Sequence, residues 1–289
     1  MPDTMDAPDP HATPDERGNT TTPTPRANAG DPARTLALLW RDPAAIPRRG
    51  PARMLDLDAV VDAAVALADA NGLAAVSMRR LAAVLGIAPM SLYTYIPSRA
   101  ELLDLMLDRV YATMPNVPPV PSHPWRERLA SVARENWALC RTHRWLPTVA
   151  TTRPGLGPGA TAKYDRELAA FDGLGLADTT VDDALTLVLT FVRASALAAI
   201  ESDAAATEST ASDAEWWETV APHLANALDP ERFPRAVRVG SAAGNARGTA
   251  YDPGHAFEFG LARILDGLAD FWCRVSGLGA GNAVSGPQT

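Results

Sequence analysis

The chain has 289 residues, 47% hydrophobic and 21% charged, which suits a soluble globular protein of one large or two modest domains. A net charge of −8 repels nucleic acid at long range, so any DNA binding has to come from a local basic patch. Two distant cysteines, Cys140 and Cys273, and no cleavable signal pattern point to a reduced, cytoplasmic protein, and the longest nearly uncharged run (184–200) is too short for a bilayer and carries Arg193, so no membrane partner is expected.

Residues 1 to about 35 are rich in Pro, Thr, Asp and Ala without an apolar period, and are expected to form a disordered tail. Leu36, Leu39 and Trp40 suit one packed turn, after which a proline-broken stretch carries Arg48, Arg49 and Arg53; residues 1–50 together read as a disordered or extended arm. Helical periodicity then takes over with no strand-like alternation, so the fold class is all-α. The first helix runs over 57–71: Asp56 caps it, Leu57, Val60, Val61, Ala64, Leu67 and Ala68 share a face, and Asn71-Gly72 stops it. Short helices follow from Ser77 to Gly86 and from Pro89 to Tyr95, then a longer one from Arg99 to Met114. The sequence PNVPPVPSHP (115–124) cannot continue a helix, which places a domain junction there, between a domain at 51–114 and one at 115–278, with a flexible tail at 279–289.

Beyond the junction, helices are expected at about 125–143, 159–173, 179–201, 214–228 and 255–276, with Trp216-Trp217 anchoring the fourth on the core. The small, polar stretches 202–213 and 239–254 read as mobile loops. Two helices carry heptad-like seams, Val181, Leu185, Val188, Val192, Ser195, Ala199 and Phe257, Leu261, Ile264, Leu268, Phe271, Val275. Such seams either fill one chain's core or meet copies of themselves across a two-fold axis. On the second alternative Val181, Leu185, Val188, Val192, Leu261, Ile264, Leu268 and Phe271 form a homodimer interface.

The stretch SMRRLAAVLGIAPMSLYTYI (77–96) fits a helix-turn-helix: Ala82 and Gly86 meet the need for a small residue and a glycine corner, and Leu81, Leu85, Ile87, Leu92 and Tyr95 fall at the internal contacts. Pro89, Met90, Ser91, Tyr93 and Thr94 then face outward on a short helix able to enter a major groove. Residues 57–110 resemble the N-terminal domain of the tetracycline repressor (TetR/AcrR) family, on Ala64, Leu67 and Gly72, on Ser77, Arg79, Leu81 and Ala82, on the Leu-Gly corner, on Leu92-Tyr93, and on Arg99 with Leu102-Leu103. The resemblance implies a regulator that binds a double-stranded operator through Ser77, Arg79, Arg80, Pro89, Met90, Ser91, Tyr93, Thr94, Tyr95 and Arg99, the last as a phosphate contact. Arg48, Arg49 and Arg53 either reach the adjacent DNA or are merely solvated.

The remainder is similar to the same family's C-terminal domain over WRERLASVARENWALCRTHRW, TTRP and YDRELAAFDGLGL. That implies a homodimer joined by the last long helices, and a pocket for an unidentified small-molecule inducer whose binding tilts the two reading heads apart. At the positions of tetracycline repressor's magnesium and drug histidines stand Val149 and Pro115, which cannot ligate a metal, so no metal and no cofactor is expected. A pocket here would draw on Trp137, His143, Trp145, Val149, Phe191 and Arg193, each of which also suits plain core packing. An enzyme finds no apparatus: GLGPG (155–159) lacks a following Lys-Ser/Thr, and the five histidines are scattered. A helical scaffold is the other alternative, and salt-dependent DNA binding separates it from a regulator.

Overall fold

A computed structural model describes residues 25–41, 56–115, 118–150, 153–208, 212–249 and 251–275. Arg48, Arg49, Arg53 and the tail at 279–289 lie outside them. The described residues are helical: α1 (Pro32–Leu39), α2 (Leu57–Asn71), α3 (Met78–Val84), α4 (Pro89–Tyr95), α5 (Arg99–Ala112), α6 (Trp125–Thr142), α7 (Pro158–Leu168), α8 (Asp178–Glu208), α9 (Asp213–Ala227), α10 (Pro234–Arg247) and α11 (Pro253–Val275). Short 3-10 turns at Leu73–Ala75, Leu146–Thr148 and Ala169–Phe171 join them. The one extended pairing among these residues is a parallel bridge between Arg26 and Ala150.

The helix ends follow from local chemistry. The Asp56 carboxylate accepts from the Asp58 amide to start α2, and Gly72, at φ 77°, ends it. Ser98 caps α5 by accepting from Ala100 and in turn donates to Glu101, three residues into the helix. α2 to α5 form a reading head around Val60, Val61, Ala64, Leu81, Ala82, Leu92, Ile96, Leu102 and Met106. That core runs on into the body through Cys140, Trp145, Leu146, Val149 and Ala196. A second core joins α6, α8 and α11 through Leu129, Val132, Leu185, Val188, Val192, Phe257, Leu261, Leu265 and Leu268.

Several expectations need correcting. Residues 25–40 are not a free tail: α1 lies on α5 with Thr35 and Leu39 buried, and Asp31 caps it through the Arg34 amide. Helix α8 continues to Glu208 through the stretch read as a loop. A further helix, α10, covers most of the other, because Gly240 and Gly244 sit inside it instead of breaking it. Gly244 is there for space: a Cβ would come within 2.2 Å of the Trp217 ring. Trp217 therefore packs on α10, Trp216 stays exposed, and neither anchors α9 on the core.

The seams take the first of their two alternatives. Leu185, Val188, Val192, Leu261 and Leu268 are buried in this chain's own core, with Val181 and Ile264 partly buried against them, so they are not free to meet another copy. Phe271 alone of the expected interface residues is exposed. Helix α8 is long and apolar enough to cross a membrane by composition, but its apolar stripe faces α6 and α11.

Candidate nucleic-acid interface

The turn between α3 and α4 is built by hydrogen bonds that only a glycine permits at low cost. The Ile87 amide donates to Ala82 O (3.0 Å) and the Gly86 amide to Ala83 O (3.2 Å), closing α3 with Gly86 in the left-handed region at φ 68°. Leu92 and Ile96 are fully buried and hold α4 onto the head. Pro89 opens α4 at a position whose amide has no intrahelical partner. With side chains an α-helix is about 10–12 Å across, so α4 suits the roughly 12 Å major groove.

The outward face carries most of the expected residues. Met90 is 76% exposed and Tyr93 44%, and Pro89, Ser91 and Thr94 are exposed beside them. Thr94 bonds back to Met90 O (3.3 Å), which turns its methyl and hydroxyl to a fixed side. Ser77 caps α3 by accepting from the Arg80 amide (3.2 Å), and its own hydroxyl hydrogen remains free to donate to a phosphate. Arg79 and Arg80 are exposed there, Arg80 reaching Asn71 Oδ1 (3.0 Å). This is a local basic, hydroxyl-rich surface on an acidic protein.

Two of the expected contacts have other tasks. Arg99 donates Nε to Val76 O (2.9 Å) and Nη2 to Leu73 O (3.0 Å), so it ties α5 to the loop before α3. Tyr95 is half-buried against the head core.

The six expected pocket residues pack into the core and along the joint between head and body. Trp137 and Phe191 converge on Phe257, with ring centroids 4.2 and 5.9 Å away. His143 and Trp145 meet Asp69 of α2, at 2.9 Å from Nδ1 and 2.8 Å from the indole nitrogen, and so join the body to the head. Val149 is buried in the core, and Arg193 Nε donates to Pro147 O (3.0 Å). None of them lines the cavity of about 460 Å³ that opens between head and body, whose walls include Leu39, Arg41, Asp58, Asp108, Tyr111, Lys163 and Arg166.

Beside that cavity lies a polar group that sequence reasoning missed. Glu167, fully buried, accepts from Lys163 (2.7 Å) and Asn136 (2.5 Å), and Lys163 stands over the Tyr111 ring. Burial, reinforced by Cys140 and Glu167, pushes the Tyr111 phenol up to about 12, and burial pushes the Cys140 thiol up to about 11. The signal available in sequence was Lys163 and Glu167 four apart on one helix. The expected GLGPG turn opens α7, where the Ala160 amide donates to Asp108 (2.8 Å) and a Cβ on Gly159 would meet Asp108 O at 2.2 Å.

The profile described as bacterial regulatory proteins, tetR family, matches residues 60–106, and that of the tetracyclin repressor-like C-terminal domain matches 117–271. The chain is 42% identical over 245 residues to the HTH-type transcriptional repressor DrrR1 of Streptomyces coeruleorubidus, covering 85% of this chain and 88% of DrrR1. This chain belongs to the TetR family. Among solved structures of TetR relatives, ActR of Streptomyces coelicolor without ligand is 31% identical with a TM-score of 0.60, covering 74% of this chain and 97% of ActR. Its complex with actinorhodin gives 31% and 0.62, covering 75% and 96%. As a TetR-family member the chain is a DNA-binding transcriptional regulator and not an enzyme.

Proposed function

We propose that the protein acts in the cytoplasm as a homodimer that seats two copies of α4 in successive major grooves of a palindromic operator and releases it when a small organic molecule binds. The carrying observation is the face of α4, where Met90, Ser91, Tyr93 and Thr94 stand exposed on a helix whose other side is sealed into the head. Hydroxyls and a phenol there read base edges and phosphates, while Ser77, Arg79 and Arg80 set position on the backbone.

The second copy is best received by the outer faces of α8 and α11, which leave Leu187, Phe259 and Phe271 exposed. The α9–α10 hairpin adds Trp216, Leu224, Phe233 and Val239. Half-sites lie about 34–36 Å apart, so a small change in head spacing weakens binding. The inducer belongs in the cavity between head and body, where one molecule touches α2 and α5 as well as α7. That ActR is solved with actinorhodin supports an organic ligand here.

The test is a selection of bound duplexes from random DNA. A palindrome is expected, and Tyr93→Ala with Thr94→Ala should lower preference for it by about 1–3 kcal/mol per lost base contact while sedimentation still reports a dimer. A monomer that ignores every duplex at low salt overturns the reading.

A further inference from the structure

Residues 25–41 lie outside both matched family profiles, yet they make some of the most specific contacts in the molecule. On one side they grip the body. The Ala27 amide donates to Ala150 O (3.0 Å) and the Ala150 amide to Pro25 O (2.8 Å), Asn28 Nδ2 donates to Pro154 O (2.8 Å), Arg153 donates to Asn28 O (3.2 Å), and the Trp40 indole donates to Leu156 O (2.7 Å). On the other side they grip the head. The Asn28 amide donates to Asp104 Oδ1 (2.7 Å), the Asp31 amide to Glu101 Oε1 (3.4 Å), and Arg41 pairs with Asp58 of α2.

Asn28 bonds to both sides at once. It sits at φ 52°, the one positive value among the described residues other than glycine, a conformation asparagine tolerates and three hydrogen bonds here hold in place. The segment thus crosses the gap between α5 and residues 150 and 153–156 and also walls the cavity with Leu39 and Arg41. Its seat sets buried Ala27 and Leu39 beside polar groups that are imperfectly satisfied, since Asp104 Oδ2 and Thr35 Oγ1 are buried without a hydrogen-bond partner. The unsatisfied groups lower the cost of opening it, because water satisfies both when the segment lifts.

We infer that residues 25–41 are a cross-brace that fixes the angle of the reading head on the body, making Asn28, Trp40 and Arg41 positioning residues for operator binding. The consequence for the operator rests on the proposed regulator mechanism; the mechanical claim does not.

Both are tested on the full chain with Cys273→Ser, spin-labelled at Val84→Cys in the head and Glu127→Cys in the body. Labelled chain is diluted into excess unlabelled chain, so only intrachain distances count whether or not copies pair. The intact brace should give one narrow distance, and Trp40→Phe, Arg41→Gln and Arg153→Gln together should broaden it. The same triple variant should bind a selected operator duplex about tenfold more weakly, with helix content unchanged. A chain lacking residues 1–41 should repeat both effects, and if it fails to fold the triple variant decides. An unchanged distance distribution overturns the brace. A broadened distribution with unchanged affinity for a duplex the protein still selects overturns its role in operator binding, whereas no duplex binding by the intact chain would instead strike the regulator mechanism and leave the distance result standing.

Discussion

Inside the reading head Val60, Ala64, Leu81, Leu92, Ile96 and Leu102 are sealed from solvent, and the body has a matching apolar interior at Val188, Val192 and Leu261. The joint between them has an apolar part, where the head core runs on into Cys140, Trp145, Leu146, Val149 and Ala196, and a polar part beside it. In the polar part the Asp69 carboxylate meets the His143 ring and the Trp145 indole, Asp108 accepts from the Ala160 amide at the start of α7, and Asp104 and Glu101 accept from amides of the N-terminal brace. Apolar packing is dense and tolerates little rearrangement, while directional polar contacts have discrete alternatives at modest cost.

The comparison breaks most visibly if the head is hollowed. Leu92→Ala removes a fully buried side chain between α3 and α4 and should cost about 3 kcal/mol, raising hydrogen exchange throughout 57–110 while the α6–α8–α11 core keeps its protection. Equal loss of protection in both cores would mean that head and body are one cooperative unit. Next in size is Gly159→Ala, which forces a methyl against Asp108 O and should cost about 2 kcal/mol, read as a lower midpoint in urea. Its effect should fall on the angle between α5 and α7, with exchange inside the head unchanged.

The smallest effect sharpens the contrast by strengthening the joint. Burial disfavours the charge on Asp104 and raises its pKa above 3.8, opposed by the Asn28 amide and reinforced by Glu101. For a group raised on folding, the stability it contributes is complete below 3.8 and fades as pH climbs through the shifted value. Asp104→Asn keeps an acceptor for Asn28 without the buried charge, so it should gain about 1 kcal/mol at neutral pH and nothing in acid. A thermal melt at several pH values checks the sign; a variant less stable at neutral pH would show that the carboxylate is compensated in the folded chain.

How far these parts can be read from residues alone depends on what carries the information. The helix-turn-helix is legible because Gly86, Ser77 and Pro89 each have a local job that few residue types perform, and their spacing is rigid. The seams are half-legible: alternating steps of three and four mark a buried stripe, but not whether the burying surface is one's own, and here α6 and the facing helix supply it. α10 was hidden because Gly240 and Gly244 imitate punctuation, whereas Gly244 answers to the bulk of Trp217 on the preceding helix. The brace leaves least trace, since its bridge to Ala150 is made of backbone groups that any residue presents. Arg99 shows a role that sequence does not mark, because a cation suited to a phosphate also gathers two carbonyls.

The order of α8 and α11 along the chain bears on biosynthesis. The ribosome finishes α8, with its bilayer-compatible apolar run, well before it makes the α11 residues that cover Leu185 and Val192. During that interval only α6 covers the apolar stripe of α8, and premature termination before Pro253 would leave the side that α11 covers open to chaperones.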